Sequence, residues 1–170
     1  MLPLQIVLIA SLLVIFYQDY KDRMVFWWLF PIVGSILALI HSNTVGMQQF
    51  LIHIGFTIGL TLVILVILAL YIKWRLGSFS FSNAIGLGDI LFLFAIAVGF
   101  PPVSYITLLA FGLVFALIIH QAISYLSKKP IKTDKTTTQH TVPLAGYLAL
   151  FFCGILLVHW LGGYDNLYVI

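Results

Sequence analysis

Two aspartates are candidate catalytic groups because apolar sequence adjoins each of them. Asp89 follows the glycine pair Gly86 and Gly88 and precedes an apolar run, and Asp19 follows the first apolar run of the chain. An ionisable group beside such sequence is costly to bury, so it marks a candidate functional site. Two carboxyl groups that share a site do not ionise together easily, so one keeps its proton. Such a pair can hydrolyse an amide, with one member as general base on water and the other as general acid.

The two glycines before Asp89 are predicted to support its chemistry. Gly86 and Gly88 leave room for backbone and substrate to approach the carboxyl group at a turn, where a larger side chain would block them. No metal ligand or cofactor is needed for this reaction, and we predict neither.

The stretch around Asp19 leaves a second candidate open. Asp22 is its rival as the first catalytic acid, and it lies between Lys21 and Arg23. We prefer Asp19 because it is nearer to the end of the apolar run. In the alternative interpretation, Asp19 is an interfacial acid balanced by one of the two basic residues.

The composition predicts an integral membrane protein. Of the 170 residues, 62% are hydrophobic and only 8% are charged, whereas a soluble domain has about 25% charged residues. The net charge of +3 comes from too few basic residues to form a nucleic-acid surface. Cys153 is the only cysteine, so no disulfide within the chain and no Cys-based zinc site can form.

The apolar runs predict an all-α fold with six transmembrane helices in a single domain, residues 1–170. A span needs roughly 20 apolar residues, and the predicted spans are 2–17, 24–40, 50–72, 90–100, 103–126 and 142–161. The aromatic residues at the start of the second span are typical of a membrane interface. The fourth run is short, so either its helix begins before Asp89 or residues 78–88 enter the membrane as irregular backbone.

The basic residues predict the topology. All eight Lys and Arg residues follow the first, third or fifth span, and the side that holds them is cytoplasmic by the positive-inside rule. The N- and C-termini are then outside. Asp19 and Asp89 belong to the same cytoplasmic face.

The motifs resemble those of a known family. Gly86-Leu87-Gly88-Asp89 resembles the GxGD motif of intramembrane aspartyl proteases. Asp19-Tyr20-Lys21-Asp22-Arg23 is similar to the first-aspartate stretch of type IV prepilin peptidases and archaeal preflagellin peptidases, and Val142-Pro143-Leu144-Ala145-Gly146-Tyr147-Leu148 resembles their I-P-F-x-P-x-L segment.

The resemblance implies an aspartic endopeptidase that removes the leader from pilin-like precursors at the cytoplasmic face of the inner membrane. Asp19 and Asp89 would be its catalytic pair, and Asp22, Lys21, Arg23 and Pro143 are candidates for contacting substrate or tuning that pair. The chain has no paired CxxC motifs like those of the bifunctional members, so we expect no methyltransferase activity. The oligomeric state is not predicted.

Two alternatives belong to other functional classes. One is a small proton-coupled transporter or channel subunit, in which the carboxyl groups relay protons. The other is a non-catalytic relative that acts in pilus or secretion assembly. Against the transporter, both acids are predicted at one membrane face rather than near the midplane.

Overall fold

A computed structural model describes residues 2–76, 86–126, 143–162 and 167–168. Within these residues the chain is all-α, as predicted, and contains no strand. The six helices in chain order are α1 (Leu2–Asp22), α2 (Leu29–Val45), α3 (Met47–Leu76), α4 (Leu87–Ala97), α5 (Pro102–Leu126) and α6 (Leu144–Trp160). The predicted Lys-rich connection, residues 127–141, lies outside the described residues.

Three of the helices are long and apolar enough to cross a membrane. These are α1, α3 and α5, whereas α2, α4 and α6 are apolar but have 17, 11 and 17 residues. The long helices leave large apolar side chains exposed, such as Phe56 and Ile67 of α3 and Phe111 of α5. Exposed apolar side chains of this kind suit a lipid environment, which agrees with the membrane protein that the composition predicts.

The helix bounds differ from the predicted spans where polar residues interrupt the apolar pattern. The helix α1 continues to Asp22, so Asp19 lies on a helix rather than in a connection. Only Gly46 separates α2 from α3, with a positive φ of 86° that suits glycine. The predicted polar connection 41–49 is therefore mostly helical. Polar side chains do not prevent backbone hydrogen bonding, so hydropathy alone misplaced these helix ends.

The helix α6 is buried along much of its length. It packs against α1, α4 and α5, and α2 joins α1, α3 and α4 on the other side. Five consecutive residues of α6, Ala145 to Ala149, are buried, which requires neighbours around the whole first turn. Small residues there allow close approach of helices, as is typical of membrane interfaces.

Polar contacts join the helices at other levels. The hydroxyl groups of Thr61 on α3 and Tyr105 on α5 are 2.8 Å apart, and both residues are fully buried. His41 of α2 contacts the His53 ring at 3.2 Å and the Val98 carbonyl at 3.1 Å. These contacts satisfy polar groups that are far from the two aspartates in the bundle.

Candidate active site

The helical periodicity of α1 carries Asp19 into the bundle. Leu8, Leu12, Ile15 and Asp19 recur every three or four residues, and all four are buried. This spacing places them on one helical face, the face that packs on the neighbouring helices. Asp19 extends that face by one turn and is 9% exposed. The apolar stripe therefore explains why a carboxylate at the end of this helix points inward.

Asp89 lies in the first turn of α4, which begins at Leu87 after the N-cap residue Gly86. The helix thus begins before Asp89, as in the first option left open by the short fourth run, whereas most of the segment 78–88 of the second option lies outside the described residues. The Asp89 backbone N–H donates to the Gly86 carbonyl at 3.0 Å. A Cβ added to Gly86 would lie 3.2 Å from Asp89 Oδ2. The predicted role of Gly86, close approach to the carboxyl group, fits this geometry.

The first turn of α6 brings the two aspartates together. The Gly146 backbone N–H donates to Asp19 Oδ2 at 2.6 Å, and the Ala145 backbone N–H donates to Asp89 Oδ1 at 2.8 Å. The carboxyl groups are close enough for their charges to interact. Two aspartates that are 70 positions apart in sequence thus accept hydrogen bonds from consecutive backbone amides of one helix.

Helix geometry explains why these two amides are available. The first N–H groups of an α-helix have no acceptor within the helix. In α6 the first backbone hydrogen bond runs from the Tyr147 N–H to the Pro143 carbonyl at 3.2 Å, which leaves the two preceding amides free to donate. The positive end of the helix dipole also favours negative charge at this position. A carboxylate pair is therefore well accommodated at this terminus.

The other candidates near Asp19 are Asp22, Lys21 and Arg23, and all three are exposed. Asp22 is exposed at the end of α1, and Lys21 is exposed with its Nζ 3.3 Å from the Tyr17 hydroxyl. Arg23 is also exposed and directly follows α1, with a φ of 55°. Its positive charge interacts with the Asp19 carboxyl group. The structure thus separates Asp22 from Asp19 by burial, although three positions divide them in sequence.

Two further predicted residues, Pro143 and Gly88, lie at the starts of α6 and α4. Pro143 is the N-cap of α6 and is buried. Gly88 faces α2, where an added Cβ would lie at an ordinary 3.6 Å from the ring of Phe30. Gly88 is therefore part of the contact between α4 and α2.

Sequence reasoning missed the donors that join the aspartates. Ala145 and Gly146 act through backbone N–H groups, and such groups leave no signal in residue type. The segment was noted only for its resemblance to a family motif, without a role for either residue. Tyr147, the next residue, was also missed; it is buried, and its N–H makes the first backbone hydrogen bond of α6.

The described residues offer the chemistry of a carboxyl pair and of backbone donors. Within residues 2–76, 86–126, 143–162 and 167–168, no three His, Cys, Asp or Glu side chains form a group that could hold a metal ion. The pair can accept a proton from water, donate one to a carbonyl oxygen, and keep a fixed orientation on α6 while doing so.

Comparison with known proteins gives no further guide to identity. No protein-family model, curated protein or solved structure matches this chain.

Proposed function

We propose that the chain is a membrane aspartic endopeptidase of the prepilin peptidase type. It would cleave the leader from type IV pilin-like precursors at the cytoplasmic face of the inner membrane. One observation carries the proposal: Asp19 and Asp89 accept hydrogen bonds from consecutive backbone amides of α6. Two carboxyl groups held side by side in this way form the acid–base pair that peptide hydrolysis requires.

The reaction uses one charged and one protonated carboxyl group. The charged group takes a proton from water, and the water oxygen bonds to the scissile carbonyl carbon while the protonated group gives its proton to the carbonyl oxygen. The tetrahedral intermediate then returns that proton, and the C–N bond breaks as the first carboxyl group protonates the leaving amine. The pair ends in its starting charge state, because one proton is shared by the two groups throughout.

The helix directions support a topology with six spans and both termini outside. The pair is formed by the C-terminal end of α1 and the N-terminal ends of α4 and α6. Six helices that alternate in direction across a membrane bring these three ends to one face. The eight basic residues lie in the last turns of the first and third helices or after the first and fifth helices, so the positive-inside rule makes that face cytoplasmic.

The length of α4 favours a position of Asp89 below the membrane surface in this topology. Eleven residues extend about 17 Å at 1.5 Å per residue, whereas the hydrocarbon core is about 30 Å thick. A substrate with a hydrophobic helix after its leader would meet the pair from within the bilayer. The exposed Asp22 adds negative charge beside the site, which favours a basic leader.

The position of Asp19 near the end of the long helix α1 weighs against the transporter alternative, whereas the depth of Asp89 on the short α4 does not. Asp19 lies three residues before the end of α1 and Asp89 lies two residues after the start of α4. Carboxyl groups that relay ions are expected near the midplane of the spans. An endopeptidase that cuts at the cytoplasmic face instead needs its acids at the helix ends.

Co-expression with a pilin-like precursor tests the proposal. The precursor is scored for the mobility shift that accompanies loss of its leader, with wild type, Asp19→Asn and Asp89→Asn compared at equal membrane abundance. Cleavage by wild type alone is expected. Cleavage that persists in Asp89→Asn would overturn the assignment, and cleavage by none of the three would favour the non-catalytic alternative.

A further inference from the structure

Gly146 is in close contact with the Asp19 side chain. Its N–H donates to Asp19 Oδ2 at 2.6 Å. A Cβ added to Gly146 would lie 3.1 Å from both Asp19 Cβ and Asp19 Oδ2. These distances are shorter than ordinary van der Waals contact, so any side chain would displace the carboxyl group.

The backbone of α1 limits how far the contact could relax. The same added Cβ would lie 3.4 Å from the Phe16 carbonyl oxygen. That oxygen belongs to the helical backbone and moves only if α1 moves. A side chain at Gly146 would therefore either turn Asp19 away or separate α1 from α6.

Helix formation itself gives no reason for glycine at this position. The positive φ values among described glycines are at Gly46 and Gly162, so Gly146 has an ordinary helical backbone. Alanine is the better helix former, and glycine is unfavourable inside a helix. The glycine is explained by its contact with Asp19 rather than by the helix.

We infer that Gly146 is a positioning residue that sets the orientation of Asp19 for the reaction, an inference that rests on the proposed function. The residue acts through Asp19 rather than on the substrate. It holds one oxygen of Asp19 through its N–H and, by lacking a side chain, lets the carboxyl group lie beside Asp89. Replacement by alanine should thus lower the rate of the chemical step while leaving the helix intact.

Steady-state kinetics on purified protein in vesicles provide the first test. Gly146→Ala is expected to lower kcat about 10-fold, because the added Cβ shifts Asp19 by a few tenths of an ångström and a misplacement of about 1 Å lowers rates about 100-fold. KM should stay within about twofold of wild type, since general substrate binding is unchanged. Gly154→Ala is the matched control: it lies on the same helix, and an added Cβ there meets no atom within 4 Å. Equal kcat values for the two variants would overturn the inference.

A second measurement does not depend on activity. The Ala145–Gly146 pair is the only Ala-Gly sequence in the chain, so labelling alanine with ¹³C at the carbonyl and glycine with ¹⁵N selects the Gly146 amide by NMR. Its proton is expected downfield in wild type and upfield in Asp19→Ala, with a smaller change in Asp89→Ala. An amide shift that is unaffected by Asp19→Ala would overturn the inference. If wild type cleaves no precursor, the proposed function fails, and this measurement still decides whether Gly146 holds Asp19.

Discussion

At the residue scale, Asp19 and Asp22 differ in burial and in hydrogen bonding. Asp19 is 9% exposed and accepts the Gly146 N–H, whereas Asp22 is exposed at the last position of α1. A catalytic carboxyl group needs a fixed orientation, which packing and a donor supply and solvent does not. The geometry thus favours Asp19 as the partner of Asp89, and leaves Asp22 as a charge beside the site.

This difference predicts opposite results for two conservative variants. Asp19→Asn removes a general acid or base and should lower kcat by about 10²–10⁴-fold. Asp22→Asn should leave kcat within about threefold, since an exposed charge is screened by solvent, while KM for a basic leader rises. Kinetics of the purified variants with one precursor check both. Loss of activity in Asp22→Asn with normal activity in Asp19→Asn would make Asp22 the catalytic acid.

At the element scale, one hydrogen bond joins two of the long helices. Thr61 and Thr107 each donate to the carbonyl four residues earlier, at 2.7 and 2.8 Å. Only Thr61 also contacts another helix, through the Tyr105 hydroxyl. The two threonines therefore make a matched pair for measuring the contact between α3 and α5.

Replacement of each threonine by valine should separate the contribution of the hydrogen bond between helices from that of the hydrogen bond within a helix. Thr61→Val leaves the buried Tyr105 hydroxyl without its partner, and we expect a loss of about 1–2 kcal/mol in the free energy of unfolding. Thr107→Val is exposed and should change it by less than about 0.5 kcal/mol. Reversible unfolding in mixed micelles gives both values. Equal losses would show that the contact between the helices contributes nothing to stability.

The elements were more predictable from sequence than the contacts between them. Apolar runs located the six helices of the described residues, and the cost of burying a carboxylate singled out Asp19 and Asp89. Helix ends were less accurate: α2 begins at Leu29 rather than at residue 24, and α1 continues through the polar stretch to Asp22. The amide donors of Ala145 and Gly146 were not predictable, because their role depends on where α6 begins relative to two distant helices.

At the scale of the whole molecule, the charge distribution and the helix directions are both consistent with the proposed topology. The basic residues lie in or after the last turn of α1, in the last turn of α3 and after α5, and the paired aspartates lie at the same end of the bundle as the end of α1. Sequence alone supplied the first part of this argument. The packing of α1, α4 and α6 supplied the second, since only tertiary structure shows which helix ends meet.

Labelling from one side of the membrane tests that topology. In a Cys153→Ser background, Lys132→Cys should react with an impermeant thiol reagent only from the cytoplasmic side, because its segment carries the positive charge. Asn43→Cys, near the end of α2, should react only from the outside. The measurement compares intact spheroplasts with inverted vesicles. Reaction of both cysteines from the same side would contradict alternating spans.

The most direct test of the central claim is whether the two aspartates act as one unit. The value of kcat/KM is measured for wild type, Asp19→Asn, Asp89→Asn and the double variant with a purified precursor. We predict that kcat/KM falls about 10²–10⁴-fold in each single variant. In the double variant it should fall no further than in the less active of the two single variants, as is typical of residues that share one step. A double variant whose loss equals the product of the two single losses, or a single variant with normal activity, would contradict the account.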